Sequence, residues 1–119
     1  MSGDADVTTG THRFVIYEPT MLVALDLEWC LRDHDPAAVI VLAATLADGL
    51  RLIAEGAVTL AILHAGVDQV GTAAVPLLLI GDAAEDRPGP WPVLRRPFTA
   101  EDVAAALTRL GVPPQQDCT

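Results

Sequence analysis

Apolar residues in this chain fall into five short runs, and the stretches between them carry apolar residues at helical spacing. The run at residues 58–66 (VTLAILHAG) is the centre of the pattern. Val58, Leu60, Ile62 and Leu63 make it too continuous for a strand with one wet face. Strands buried on both faces read this way, and they belong to parallel sheets covered by helices. His64 stands at the carboxyl end of this run, where open parallel sheets place their chemistry.

The other elements follow in order. Residues 13–17 (RFVIY) predict a first strand, which Glu18 and Pro19 end. Thr20 can cap a helix over 21–32, with Leu22, Leu25 and Trp29 as its inward stripe and Asp26, Glu28 and Arg32 on its wet side. Residues 38–43 (AVIVLA) predict a second strand. Thr45 and Asp48 have the spacing of a capping pair, opening a helix with Leu46, Leu50 and Ile53 as its stripe and Gly56 as its stop. The third strand is 59–63 and the fourth 75–80 (VPLLLI). Between them lies a small-residue segment, 65–74. Residues 81–92 (GDAAEDRPGPWP) read as loop with at most a turn of helix. Residues 93–95 predict a short fifth strand. Thr99 and Asp102 repeat the capping spacing before a last helix with Val103, Leu107 and Leu110 inward, Arg109 near its end and Gly111 after it.

Strands alternating with helices predict an α/β fold with a parallel sheet, and five strands suggest the flavodoxin-like order 2-1-3-4-5. One domain is expected over 13–111, with a disordered lead-in at 1–12 and a flexible tail at 112–119. An apolar fraction of 51% against 19% charged residues supports a globular chain. No apolar run approaches the ~18 residues of a membrane span, and no signal peptide is expected at the N-terminus. Two cysteines, Cys30 and Cys118, suggest free thiols in the cytoplasm. The net charge is −9 and the seven cations are all arginine, so nucleic-acid binding is disfavoured.

Three stretches resemble a response-regulator receiver domain of the CheY-like superfamily. RFVIYEPTMLVALDLEWCLRD is similar to the family's first strand, acidic turn and first helix. VTLAILH is similar to the strand that ends in the phosphate-accepting aspartate. VLRRPFTAEDVAAAL is similar to the last strand, its Lys-Pro-Phe turn and the final helix. The resemblance implies a pocket at Glu18, Pro19, His64, Gly81, Asp82 and Arg96, and most of these positions depart from the family. Receivers hold Mg²⁺ with two acids after the first strand, where this chain has Glu18 and Pro19. The acceptor aspartate is His64, the Ser or Thr after the fourth strand is Gly81, and the lysine is Arg96. The aromatic switch position falls on Val93. The family's reaction needs a carboxylate nucleophile, a divalent ion, a lysine and a hydroxyl around the phosphoryl oxygens. A degenerate receiver that has lost phosphorylation of the usual kind is therefore expected.

The interval from His64 to Pro76 is too short for a helix of about 10–14 residues plus two loops. The interval from Gly81 to Arg96 barely admits one and holds three prolines. The third and fourth helices are expected to be reduced or lost. Leu77 and Leu79 would then lack intrachain cover, and an interaction face of Leu77, Leu79, Trp91, Val93 and Arg95 is expected. A second copy, a different protein, or the Pro-rich segment folded back with Trp91 would cover it. Trp91 reads equally as an interface anchor and as a lid on the core. Cys30 reads as core packing.

His64 reads most simply as a hydrogen-bonded histidine at a strand end. Glu18, His64 and Asp82 form an acid–His–acid set of the kind that binds Zn²⁺, but no short-range ligand spacing supports it, and neither metal nor cofactor is expected. Arg96 is open to two readings: anion binding, or an ion pair with Glu18 or Asp82. No phosphate loop, nucleophile elbow or paired-cysteine motif is present, so no enzyme is expected. The resulting expectation is a stand-alone receiver-like protein acting through phosphorylation-independent contacts. Its partner would be a signalling protein (a kinase, a phosphotransfer protein or an output protein), with a homodimer in addition. The alternatives are phosphotransfer through His64 or Asp82, and a small-ligand or metal sensor at the strand ends.

Overall fold

The computed structural model describes residues 12–70, 75–81, 91–95 and 98–112. Five strands, β1 (Arg13–Tyr17), β2 (Val39–Leu42), β3 (Leu60–His64), β4 (Leu77–Gly81) and β5 (Val93–Arg95), form one sheet. Its order is β2-β1-β3-β4-β5, and every pairing is parallel. The helices among the described residues are α1 (Met21–His34), α2 (Leu46–Glu55), the single turn α3 (Val67–Val70) and α4 (Ala100–Arg109). Among the described residues the third helix spans one turn, and residues 71–74 after it lie outside them. The place of the fourth, within 82–90, lies outside the described residues, as do most of the expected lead-in and tail.

The two-residue period of the strands divides the core. Phe14, Ile16, Leu60, Ile62, Leu78, Ile80 and Leu94 face α1 and α4, where Leu27, Leu31, Val103 and Leu107 meet them. Val15, Ala61, Leu63, Leu77 and Leu79 face the other way, toward Ile53 of α2 and Val70 of α3. β4, and β3 up to His64, are apolar because both their faces are covered. Gly49 lets α2 lie close to the sheet: a Cβ there would already touch Leu63, Ala43 and Tyr17 at 3.4–3.7 Å.

The ends of α2 and α4 follow the predicted chemistry, whereas Thr20 precedes α1 without a side-chain capping bond. The Thr45 hydroxyl accepts from the Asp48 amide at 3.0 Å, and Gly56 closes α2 with φ +95°. At α4 the Thr99 hydroxyl accepts from the Asp102 amide at 3.1 Å, and the Asp102 carboxylate accepts from the Thr99 amide at 2.9 Å. Thr99→Ala removes half of this reciprocal pair. It is expected to cost about 1 kcal/mol and lower the melting temperature by roughly 4–8 °C, read by circular dichroism.

One helix face is turned the other way from expectation. Leu22, Leu25 and Trp29 are exposed, and Ala24, Leu27 and Leu31 are buried instead. At about 100° per residue, α1 carries two apolar arcs on nearly opposite sides. Turning Leu22, Leu25 and Trp29 inward would draw Arg32 and Asp33 toward the sheet. The arc of Ala24, Leu27 and Leu31, flanked by Val23 and Cys30, leaves Asp26, Arg32 and Asp33 in water. Cys30 sits half-buried beside it. Burial, and then Asp26 and Asp33, push its thiol up from the ordinary value, so it is a poor thiolate donor. Cys118 lies outside the described residues.

At the amino ends of the strands, α1 is tied to the chain beyond α4. The His34 ring, buried at the last position of α1, donates through Nε2 to the Val112 carbonyl at 2.7 Å. Val112 itself packs into the core. Asp35 is buried next to it. Its Oδ1 accepts from the Ala37 amide at 3.1 Å, and its Oδ2 lies 3.9 Å from His12 Nε2.

Candidate functional site

The carboxyl ends of β1, β3 and β4 meet in the middle of the sheet. The register that sets Tyr17 beside Leu63 brings the next pair, Glu18 and His64, side by side. His64 Nδ1 lies 2.9 Å from Glu18 Oε1, and Glu18 Oε2 accepts from the Thr20 amide at 2.9 Å. Both carboxylate oxygens act as acceptors, so Nδ1 carries the proton and donates. The Glu18 side chain is fully buried, while that of His64 is 30% exposed. The imidazole therefore caps a buried carboxylate and presents one edge to solvent.

Pro19 follows Glu18 on the exposed turn and brings neither a carboxylate nor an amide hydrogen. Gly81, the last residue of β4, brings no side chain. Asp82 and Arg96 lie outside the described residues, so the converging acid–His–acid set is seen only in its Glu18 and His64 members. Among the described residues, no three His, Cys, Asp or Glu side chains are arranged to hold a metal ion. The divalent ion of receiver domains calls for several carboxylates. Here Glu18 stands next to an imidazole and has both oxygens engaged, which does not fit that ion.

The expected interaction face is only partly a surface. Leu77 and Leu79 are fully buried, so they do not lack cover. The single turn of α3 supplies Val70, and Val75, Trp91 and Val93 pack on the same cluster. Among the described residues, a turn of helix and a tryptophan thus contribute cover on this face. Trp91 is half-buried against this core, as a lid would be, and its Nε1 is buried without a hydrogen-bond partner. Val93 pairs with Leu79 in register, and Arg95 is exposed beside Gly81.

Sequence reasoning missed the direct Glu18–His64 bond. It placed both residues at the strand ends but had no register to pair them. It also missed the outward apolar face of α1, because a three-and-seven spacing fits either arc of that helix.

This architecture is that of response-regulator receiver domains. Two solved structures share it. A response regulator receiver domain protein of Clostridium thermocellum superposes with a TM-score of 0.64 at 14% identity, covering 83% of this chain and 93% of that one. The anti-anti-sigma factor PhyR of Bartonella quintana, a substituted variant, superposes with a TM-score of 0.65 at 16% identity. That match covers 91% of this chain, which spans about half of the PhyR chain (52%). At these identities the likeness is one of fold. No protein-family model matches the sequence, and no curated protein matches it.

Proposed function

We propose that this chain is a degenerate receiver domain that signals through protein contacts without being phosphorylated. The carrying observation is the place of His64. It ends β3 where the family's acceptor aspartate stands, and its Nδ1 is bonded to a buried carboxylate. An imidazole there offers no acyl-phosphate chemistry, and Gly81 has no hydroxyl to follow a phosphoryl group. In this reading the scaffold is kept as a platform for another signalling protein (a kinase, a phosphotransfer protein or an output protein) and for self-association. One of its fold neighbours is an anti-anti-sigma factor. No helix among the described residues is long and apolar enough to cross a membrane. A cytoplasmic place and a non-catalytic role belong to the same proposal.

The test is intact-mass measurement after incubation with acetyl phosphate and Mg²⁺. No phosphate-sized gain is expected. A stoichiometric gain that Asp82→Ala or His64→Ala abolishes would replace this reading with phosphotransfer through a non-standard acceptor.

A further inference from the structure

Six large apolar side chains are exposed among the described residues, and all lie on α1 or the neighbouring edge strand β2. Met21 is 63% exposed, Leu22 77%, Leu25 48% and Trp29 77%. They form one arc of α1, facing away from the sheet. On β2, Leu42 is 44% exposed. It pairs in register with Ile16 and so points to the α1 side of the sheet. Val39, paired with Arg13, points to the opposite side.

We infer that this arc is the seam of a homodimer, in which α1 of one copy packs antiparallel against α1 of the other. The inference rests on the interaction reading above and gives its self-association a surface. Three observations select a second copy as the occupant.

The arc is self-complementary. Met21 and Trp29 lie four residues to either side of Leu25, about 6 Å along the helix axis in each direction. A two-fold axis through Leu25 therefore seats each Trp29 on the partner copy's Met21, a sulfur–aromatic contact, with the leucines closing the centre.

The area is sufficient. Side chains of this size present roughly 150–250 Å² when bare, so the four exposures amount to about 500 Å² per copy. Doubled, and extended by a polar rim, the contact reaches the lower part of the roughly 1,200–2,000 Å² of stable interfaces.

The arc carries one charged side chain, Arg32 at its carboxyl end, and that charge is matched by Glu28 at 3.1 Å. Two chains of −9 repel only diffusely, over a Debye length of about 8 Å at physiological salt, while the seam itself brings no like charges together. Salt should therefore tighten the dimer. A basic partner on the same face would be loosened by salt.

Sedimentation velocity of the full chain, from low to high micromolar, tests the seam. A concentration-dependent dimer is expected, stronger when sodium chloride is raised from tens to hundreds of millimolar. Trp29→Glu and Leu25→Arg should each raise the dissociation constant at least about thirtyfold. Both positions are exposed, so melting temperatures should match the parent at dilutions where the parent is monomeric. Val39→Arg should leave the dimer intact. A monomer at every concentration overturns the seam, and so does a dimer that weakens with salt. A dimer broken by Val39→Arg but not by the α1 variants would be a sheet-edge pairing and overturns it as well. A monomer that takes up no phosphate removes the seam and leaves the phosphorylation-independent reading standing. A dimer that takes up phosphate does the reverse.

Discussion

Leu79→Glu is expected to leave the chain without a cooperative unfolding transition at 25 °C. Leu79 is fully buried in the middle of β4, between Leu63 of β3 and Val93 of β5. A carboxylate there would have to be desolvated among Leu63, Leu77 and Val70, none of which can donate a hydrogen bond. The effective penalty of an unpaired buried ion is several kcal/mol, and the lost leucine packing adds about 2–5 kcal/mol. Together these rival the roughly 5–15 kcal/mol that holds a domain folded. Far-UV circular dichroism with urea titration reads the result. A transition within about 1 kcal/mol of the parent would show that this position is open to water and that the face over β4 is a true surface. The outcome bears on any binding experiment with this variant, since partner loss would then report unfolding and not a lost contact.

The second large effect is expected from His64→Asp, which sets a second carboxylate beside Glu18 at the end of β3. The new carboxyl oxygen would occupy the place of Nδ1, about 3 Å from Glu18 Oε1, and two carboxylates that close cannot both ionise cheaply. A loss of about 2–4 kcal/mol at neutral pH is expected, of the size of a few pKa units between the folded and unfolded pair. The sign follows from proton linkage. The folded pair holds a shared proton more tightly than the unfolded chain does, so stability is kept in acid and lost as the pH rises. Millimolar Mg²⁺ should recover part of it, because a cation between two carboxylates replaces the missing proton. Thermal melts across pH, with and without Mg²⁺, read all three effects. A variant as stable as the parent at neutral pH would mean that Glu18 swings away from β3 when His64 is absent.

The strands and the amino ends of α2 and α4 were legible in the sequence because each rests on local chemistry, while Thr20 sits before α1 without the side-chain cap the sequence suggested. Alternating burial needs only a period of two, and the Thr45–Asp48 and Thr99–Asp102 caps need only residues three apart. The orientation of α1 was not legible. Leu22, Leu25 and Trp29 and the series Ala24, Leu27 and Leu31 have the same spacing, and only the position of Arg32 and Asp33 relative to the sheet separates them. Nor was the cover of Leu77 and Leu79, which comes from Val70, Val75 and Trp91, residues scattered over three segments. At the candidate site, sequence placed Glu18 and His64 correctly at strand ends. Their bond depends on the β1–β3 register, which no local pattern encodes.

The ties at the amino ends of the strands bear on how this fold can be spliced. His12 lies 3.9 Å from Asp35, and Val112 is bonded to His34. Residues 34 and 35 are sequence neighbours, with Cα atoms about 3.8 Å apart. Residues 12 and 112 are thus both tied to the corner at residues 34 and 35. A short linker could join them, with new ends opened at the exposed Gly56–Ala57 corner, so the sheet tolerates circular permutation in principle. Equally, the whole unit could be inserted into a surface loop of another protein with its entry and exit close together.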